Sequence, residues 1–139
     1  MNNLTMIVQA PALWIFEEDI LNRSGLEWLG AHISLGKPLH RYEGTITINE
    51  NTLLLEGFDN RQKAGISFEI LKGQMEQLYH GFDKTFTALE TRDLGLSWYP
   101  LRVTFQNEGD NKNVYLIINY RFGKTDNLEY FEFLKQWVS

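Results

Sequence analysis

Cysteine is absent from this chain. Thiol nucleophiles, disulfides and Cys-ligated zinc are excluded together, and the composition is compatible with a reducing cytoplasm. Basic residues are in the minority: 13 Lys and Arg face 18 Asp and Glu, a net charge of −5, and no two Lys or Arg are adjacent. Affinity for nucleic acid or anionic lipid depends on clustered positive charge, so neither a nucleic-acid partner nor a broad membrane surface is expected. Proline is scarce, at three residues, and no Ser/Pro-rich linker, repeat or low-complexity tract divides the chain. Long apolar runs are missing too. The opening "MNNLTMIVQAPALWIFEED" has no basic n-region, and Gln9 and Pro11 interrupt its apolar stretch. We expect neither a signal peptide nor a bilayer span there, which leaves a soluble cytoplasmic protein as the expectation.

What is present is enough for a core. Hydrophobic residues make up 43% of 139, with nine Phe, six Tyr and four Trp. A single domain of this length buries roughly two-thirds of its unfolded surface and needs no staple. One boundary falls near Gly36-Lys37-Pro38. Before it, "PALWIFEEDILNRSG" places Pro11 near a helix start, Ser24-Gly25 as a stop, and Leu13, Phe16 and Ile20 on one face. This predicts a helix within an N-terminal extension over residues 1–38, although "LWIF" fits a short strand equally. "LEWLGAHISLG" adds apolar side chains suited to packing across a sheet.

From Arg41 the period becomes two. "RYEGTITI" sets Tyr42, Ile46 and Ile48 on one face, Asn49-Glu50-Asn51 is a turn signal, and "TLLLEGF" returns as the second strand of a hairpin. Asp59 to Lys63 reads as a polar loop, and "AGISFEIL" alternates through Ile66, Phe68 and Ile70. Lys72-Gly73 permits a tight turn into "QMEQLYHG". Farther on, "WYPLRVTF" alternates through Leu101, Val103 and Phe105, with Pro100 marking a strand end or edge. After the loop "QNEGDNKN", the near-continuous run "VYLIINYR" reads as a central strand. The chain closes on "TDNLEYFEFLKQWVS", where Asp126 and Glu129 have capping-box spacing. Leu128, Phe131, Leu134 and Val138, flanked by Tyr130 and Trp137, give it one amphipathic face.

This order of hairpins, one long irregular connection, a last hairpin and a terminal amphipathic helix resembles pleckstrin-homology-like barrels. The wording "YEGTITI…TLLLEGFD…ISFEI…QLYHGFDKTF…LGLSWYPLRVTF" is similar to small GRAM-like and bacterial PH-like domains over Arg41 to Ser139. The resemblance implies an α+β, mainly β fold over residues 39–139: a split barrel of two antiparallel sheets closed by the C-terminal helix. It also implies a ligand site among the open-end loops, here Asn49-Glu50-Asn51, Lys72-Gly73 and Asn107 to Asn113. Family members that bind phosphoinositides cluster Lys and Arg there, whereas these loops hold Glu50, Glu108 and Asp110 against Lys72 and Lys112. Phosphoinositide binding is therefore disfavoured.

No chemistry-bearing pattern emerges, so no catalytic residue, cofactor or metal site is expected. His32, His40 and His80 match no metal spacing, and "EED" at Glu17 to Asp19 fits a carboxylate cluster or, as well, a solvated helix face. "EGDNKN" lacks the distal Glu of a calcium loop, and no glycine cluster has the strand-to-helix setting of a phosphate loop. An enzyme would need at least two of His80, Asp83, Arg92, Asp93 and Arg121 to converge. The stretch from Gly81 to Gly95 draws more attention, because Tyr79, Phe82, Phe86, Trp98 and Tyr99 cluster around it. We read it as a corner with a short strand at Lys84 to Ala88 and a turn or single helical turn through Thr91-Arg92-Asp93. Phe82 and Phe86 would point inward, and Lys84, Glu90, Arg92 and Asp93 outward. Phe82, Phe86, Arg92, Trp98, Tyr99 and Trp137 form the candidate surface for a partner or ligand.

The leading expectation is a non-catalytic binding or scaffolding module for a protein or peptide. Its contacts would run through the edge beside Pro100 or the terminal helix, with homodimerisation through one of them as a further route. The alternative is a small apolar-ligand protein, in which Phe68, Phe105, Ile118 and Phe131 would leave a cavity of a few hundred cubic ångströms. An enzyme of unknown chemistry ranks third.

Overall fold

A computed structural model describes residues 7–22, 37–91 and 97–139. They form a mainly β fold, one antiparallel sheet of seven strands curled into a half-barrel, with a C-terminal helix. The elements are β1 (Val8–Phe16), α1 (Glu17–Leu21), β2 (Tyr42–Ile48), β3 (Thr52–Asp59), β4 (Ala64–Leu71), β5 (Met75–His80), β6 (Leu101–Asn107), β7 (Asp110–Ile118) and α2 (Asn127–Val138). In space the strands run β4-β3-β2-β1-β7-β6-β5, so β4 and β5 are the two edges. Among the described residues no helix is long and apolar enough to cross a membrane.

Residues 8–16, which the sequence places in an extension with a helix, are a strand at the centre of the sheet, paired with both β2 and β7. The helical reading fails because both faces of this strand are covered. Ala12 and Trp14 enter the concave core, while Leu13 and Ile15 enter a second cluster on the outer face, a period of two hidden inside an unbroken apolar run. Pro11 is tolerated because its missing N–H lies on the β7 side of the strand, where its carbonyl accepts from Asn119 N (2.8 Å), just past the last β1–β7 pair, Ala12–Ile118, so no ladder pair loses a donor. The helix itself is confined to Glu17–Leu21, opened by Asp19 Oδ2 accepting from Phe16 N at 3.1 Å. Ser24-Gly25 and "LEWLGAHISLG" lie outside the described residues. β7 is the other central strand, as its apolar run predicts, with Val114 to Ile118 all buried.

The alternating strands behave as read. Tyr42, Ile46, Ile48, Leu53, Leu55, Ile70, Leu101, Val103 and Phe105 are all buried in the concave core. Each such aliphatic side chain stabilises the fold by roughly 1.5–3 kcal/mol. The β2–β3 pair carries a feature the pattern does not announce. Gly44 and Gly57 face each other in register, and a Cβ on either would lie 2.0 or 2.1 Å from the facing strand's carbonyl oxygen. Backbones this close belong to a sharply bent part of a sheet, where only glycine fits. Gly57→Ala is expected to destabilise the protein by about 1–3 kcal/mol, read as a lower melting temperature, because no flexible side chain can give way.

The terminal helix forms as expected, but its packed face is rotated. Leu128 and Val138 are 54% and 38% exposed, whereas Asn127 and Leu134 are buried and Tyr130, Phe131, Phe133 and Trp137 pack against the concave core. Asp126 does not cap the helix with its side chain; the carboxylate accepts from Asn119 Nδ2 at 2.8 Å instead. The rotation is set by Asn127. Its Oδ1 accepts from Ile118 N (2.8 Å), and its Nδ2 donates to the carbonyls of Tyr99 (2.7 Å) and Leu116 (3.1 Å).

The connection from β5 to β6 lies on the outer face. No strand forms at Lys84 to Ala88: Asp83 Oδ1 accepts from the N–H groups of Thr85 and Phe86, each at 2.8 Å, and a short 3-10 turn follows at Ala88–Thr91. Phe86 is fully buried and Phe82 half-buried, as expected, but against the outer faces of β1 and β7. Lys84 is exposed; Glu90 is buried and accepts from Thr87 N at 2.7 Å instead of facing water. Arg92 and Asp93 lie outside the described residues.

Candidate ligand cleft

The expected surface set does not assemble. Phe86 and Trp98 are core residues, 0% and 5% exposed, packed together beside Tyr115 on the outer face. Phe82 and Tyr99 form an edge-to-face pair at 5.1 Å, with His80 edge-on to Tyr99 at 5.4 Å. Trp137 sits elsewhere, its Nε1 donating to Asn49 O at 2.7 Å and its ring 4.9 Å from Lys72 Nζ. Arg92 falls outside the described residues. His80, Asp83 and Arg121 likewise keep separate company. His80 stacks on Phe131, Asp83 takes hydrogen bonds from Arg102 and Tyr115, and Arg121 approaches Asp126 at 3.7 Å.

The residues that do converge do so on the unclosed side of the half-barrel. A cleft of about 430 Å³ opens between α1, the early part of β4 and the β6–β7 hairpin. Its floor is aromatic: Phe68 lies edge-on to Phe16 at 5.0 Å and to Phe105 at 5.5 Å, and Phe16 edge-on to Tyr42 at 5.8 Å. Ile66 extends the apolar wall. Phe105 and Ile118 are buried while Phe68 and Phe131 are half-buried, so the interior is packed as far as Phe105 and the space opens beyond it.

The rim is polar, and its carboxylates outnumber its cations. Glu17, Glu18 and Asp19 come from α1, and Asn107, Asn111, Lys112 and Asn113 from the hairpin, whose turn is Glu108-Gly109 with φ of 55° and 89°. Glu17 accepts from Asn113 Nδ2 at 3.2 Å and Thr85 Oγ1 at 3.3 Å, and Glu18 lies 3.8 Å from Lys112. The "EED" run thus borders the cleft. Of the three loops expected at an open end, only Asn107 to Asn113 lines it; Asn49 and Lys72 meet the end of α2 instead.

Arg41 holds the cleft's inner corner together. Its Nη1 donates to Asp19 Oδ1 (2.8 Å), its Nε and Nη2 donate to the two carboxylate oxygens of Asp59 (3.0 and 2.9 Å), and its guanidinium lies 5.0 Å from the Tyr42 ring centre. The fork-on-fork contact with Arg41 holds Asp59 below the usual carboxylate range. Asp19, with a single bond to Arg41, is shifted upward because burial outweighs its partners. Burial also pushes the Tyr42 hydroxyl up to about 12.

Sequence reasoning named Phe68 and Phe105 as interior residues but missed Phe16, Arg41 and Asp19 as their neighbours. Nothing local marks Arg41: it precedes a strand, and both its partners are distant in sequence, 22 and 18 residues away. No protein-family model matches the chain, and no curated protein matches it in sequence.

Proposed function

We propose that this protein is a non-catalytic binding module of pleckstrin-homology-like architecture that takes a protein or peptide partner, in the cytoplasm, through the cleft described above. The cleft is the observation that carries the reading. At about 430 Å³ it lies toward the small end of ligand pockets, large enough for one bulky apolar side chain on a floor of Phe16, Phe68 and Phe105. Beside it runs β4, an edge of the sheet, and no described strand pairs its outer side. Main-chain groups of a bound segment could hydrogen-bond there while a side chain enters the cleft. The packing of α2 against β5, β6 and β7 supports the architectural part of the reading, while the strands form one continuous sheet in place of the two expected.

Charge narrows the partner. Arg41 is neutralised by Asp19 and Asp59, which leaves Glu17 and Glu18 against Lys112 at the rim. A group carrying positive charge beside its apolar anchor is favoured, and a polyanionic head group is not. The same volume supports a second reading, a small apolar or amphipathic ligand. Native mass spectrometry of the protein purified from its own cells separates the two. A co-purifying protein or peptide released by mutation of Phe68 supports the module; a tightly held small mass displaces that reading in favour of the second.

A further inference from the structure

One exposed feature is costly to keep. Phe122 is 99% exposed and has φ of 51°, a left-handed conformation that a bulky side chain adopts at some strain. It is presented on a rigid turn: Arg121 N donates to Lys124 O (2.9 Å), Lys124 N donates back to Arg121 O (3.0 Å), and Gly123 takes φ of 76°. Asn or Gly at position 122 would make the same turn without strain and without exposing a ring. The turn therefore displays an aromatic side chain between two exposed cations, Arg121 and Lys124.

We infer that Phe122 enters the aromatic cleft of a second copy of this chain, with Arg121 and Lys124 meeting Glu17 and Glu18, so that the protein associates head to tail. The inference rests on the binding-module reading and names the occupant. The complementarity is twofold, a ring for a floor of rings and paired cations for a rim with excess carboxylate. Arg121 is already 3.7 Å from its own Asp126, which leaves Lys124 as the cation freer to reach across. Insertion within one molecule is ruled out by geometry. The cleft lies by Asn111 to Asn113 at the start of β7, and the turn follows the end of β7 at Ile118. At about 3.3 Å per residue the two are roughly 25 Å apart. A knob at one end and a socket at the other make a heterologous contact, which propagates into a ring or an open chain.

Sedimentation equilibrium over a range of concentration and salt tests this on the full chain. Wild type is expected to self-associate, and to do so less at high salt, where the charge pairs are screened. Phe122→Asn is expected to weaken association by about tenfold or more, with a melting temperature equal to or above wild type, since Asn suits the turn. Lys124→Glu and Glu18→Lys should each weaken association, and together restore part of it. Wild type that stays monomeric throughout, or Phe122→Asn that associates as tightly as wild type, overturns the inference. A monomer that binds anionic vesicles through Phe122 also overturns it, in favour of a lipid surface. Titration with a cyclic peptide containing Arg-Phe-Gly-Lys separates the two levels. Peptide binding by a monomeric wild type leaves the module standing without the self-contact, and no binding in either assay removes both.

Discussion

Asn127→Leu is expected to cost about 3–4 kcal/mol of stability and to lower the melting temperature by roughly 10 °C. The side chain is fully buried and satisfies three main-chain groups at once: the N–H of Ile118 and the carbonyls of Tyr99 and Leu116. Leucine has similar volume, so the change leaves those groups unpaired without opening a cavity, and each unpaired buried group costs about 1–3 kcal/mol. These contacts tie the start of α2 to the end of β7 and to the segment before β6. Loosening them should therefore release the helix before the rest of the sheet. Thermal denaturation followed by near-ultraviolet circular dichroism, sensitive to Trp137 and Tyr130, would record that order. An Asn127→Leu protein as stable as wild type would mean that water reaches the freed groups.

Arg41→Met is expected to cost about 2–4 kcal/mol at neutral pH, because it leaves Asp19 and Asp59 charged and unpaired with side chains only 11% and 7% exposed. Its pH dependence is the sharper test. In wild type, Asp59 is depressed by Arg41, Glu43 by Lys37, and Asp83, despite burial, by hydrogen bonds from Phe86 N and Tyr115. A carboxyl depressed in the folded state contributes stability above its unfolded pKa of about 4, and that stability disappears as pH falls through the folded value. Asp19 is shifted upward and works the other way, since protonation relieves a buried charge. Three carboxyls against one predict that carboxyl titration destabilises wild type below about pH 4. Without Arg41, only the N–H groups of Arg61 and Gln62 oppose burial at Asp59, so its depression is reduced and the deficit of the variant should shrink between pH 6 and pH 3. Urea denaturation at several pH values reads this directly, and a deficit that stays constant with pH would show that Arg41 acts through packing alone. The same variant should loosen α1, which Arg41 anchors through Asp19, and so weaken whatever the Glu17–Glu18 rim recognises.

Both predictions turn on contacts between residues far apart in the chain, and this separates what could be read from what could not. The strands at Tyr42–Ile48, Thr52–Asp59, Ala64–Leu71 and Leu101–Asn107 were legible because one face of each is buried, and alternation survives in the residue order. The helix Asn127–Val138 was legible for the same reason at a different period. Residues 8–16 were not, because a strand covered on both faces has no polar face to reveal its period. The hairpin turns at Asn49-Glu50-Asn51 and Glu108-Gly109 followed from Asn and Gly, whose conformational preferences are local. Lys72-Gly73 instead opens a short 3-10 turn between β4 and β5, which lie at opposite edges of the sheet and form no hairpin.

The cleft shows the limit of that reasoning. Its floor draws Phe16, Phe68 and Phe105 from three strands, and their inward direction follows from alternation while their meeting does not. The aromatic residues around Gly81 to Gly95 illustrate the converse. Their number suggested a surface, yet Phe86 and Trp98 cover the outer face of β1 and β7, because a central strand with two apolar faces needs a second layer over it. Composition and periodicity by themselves determined a mainly β chain with a terminal helix, a Cys-free acidic surface and most of the strand positions, since those depend on neighbours within a few residues. Which strand is central, which face of α2 is packed, where Arg41 finds two carboxylates and where the sheet stays open were decided only by the tertiary structure. Each depends on free energy gained between segments that the order of residues does not place side by side.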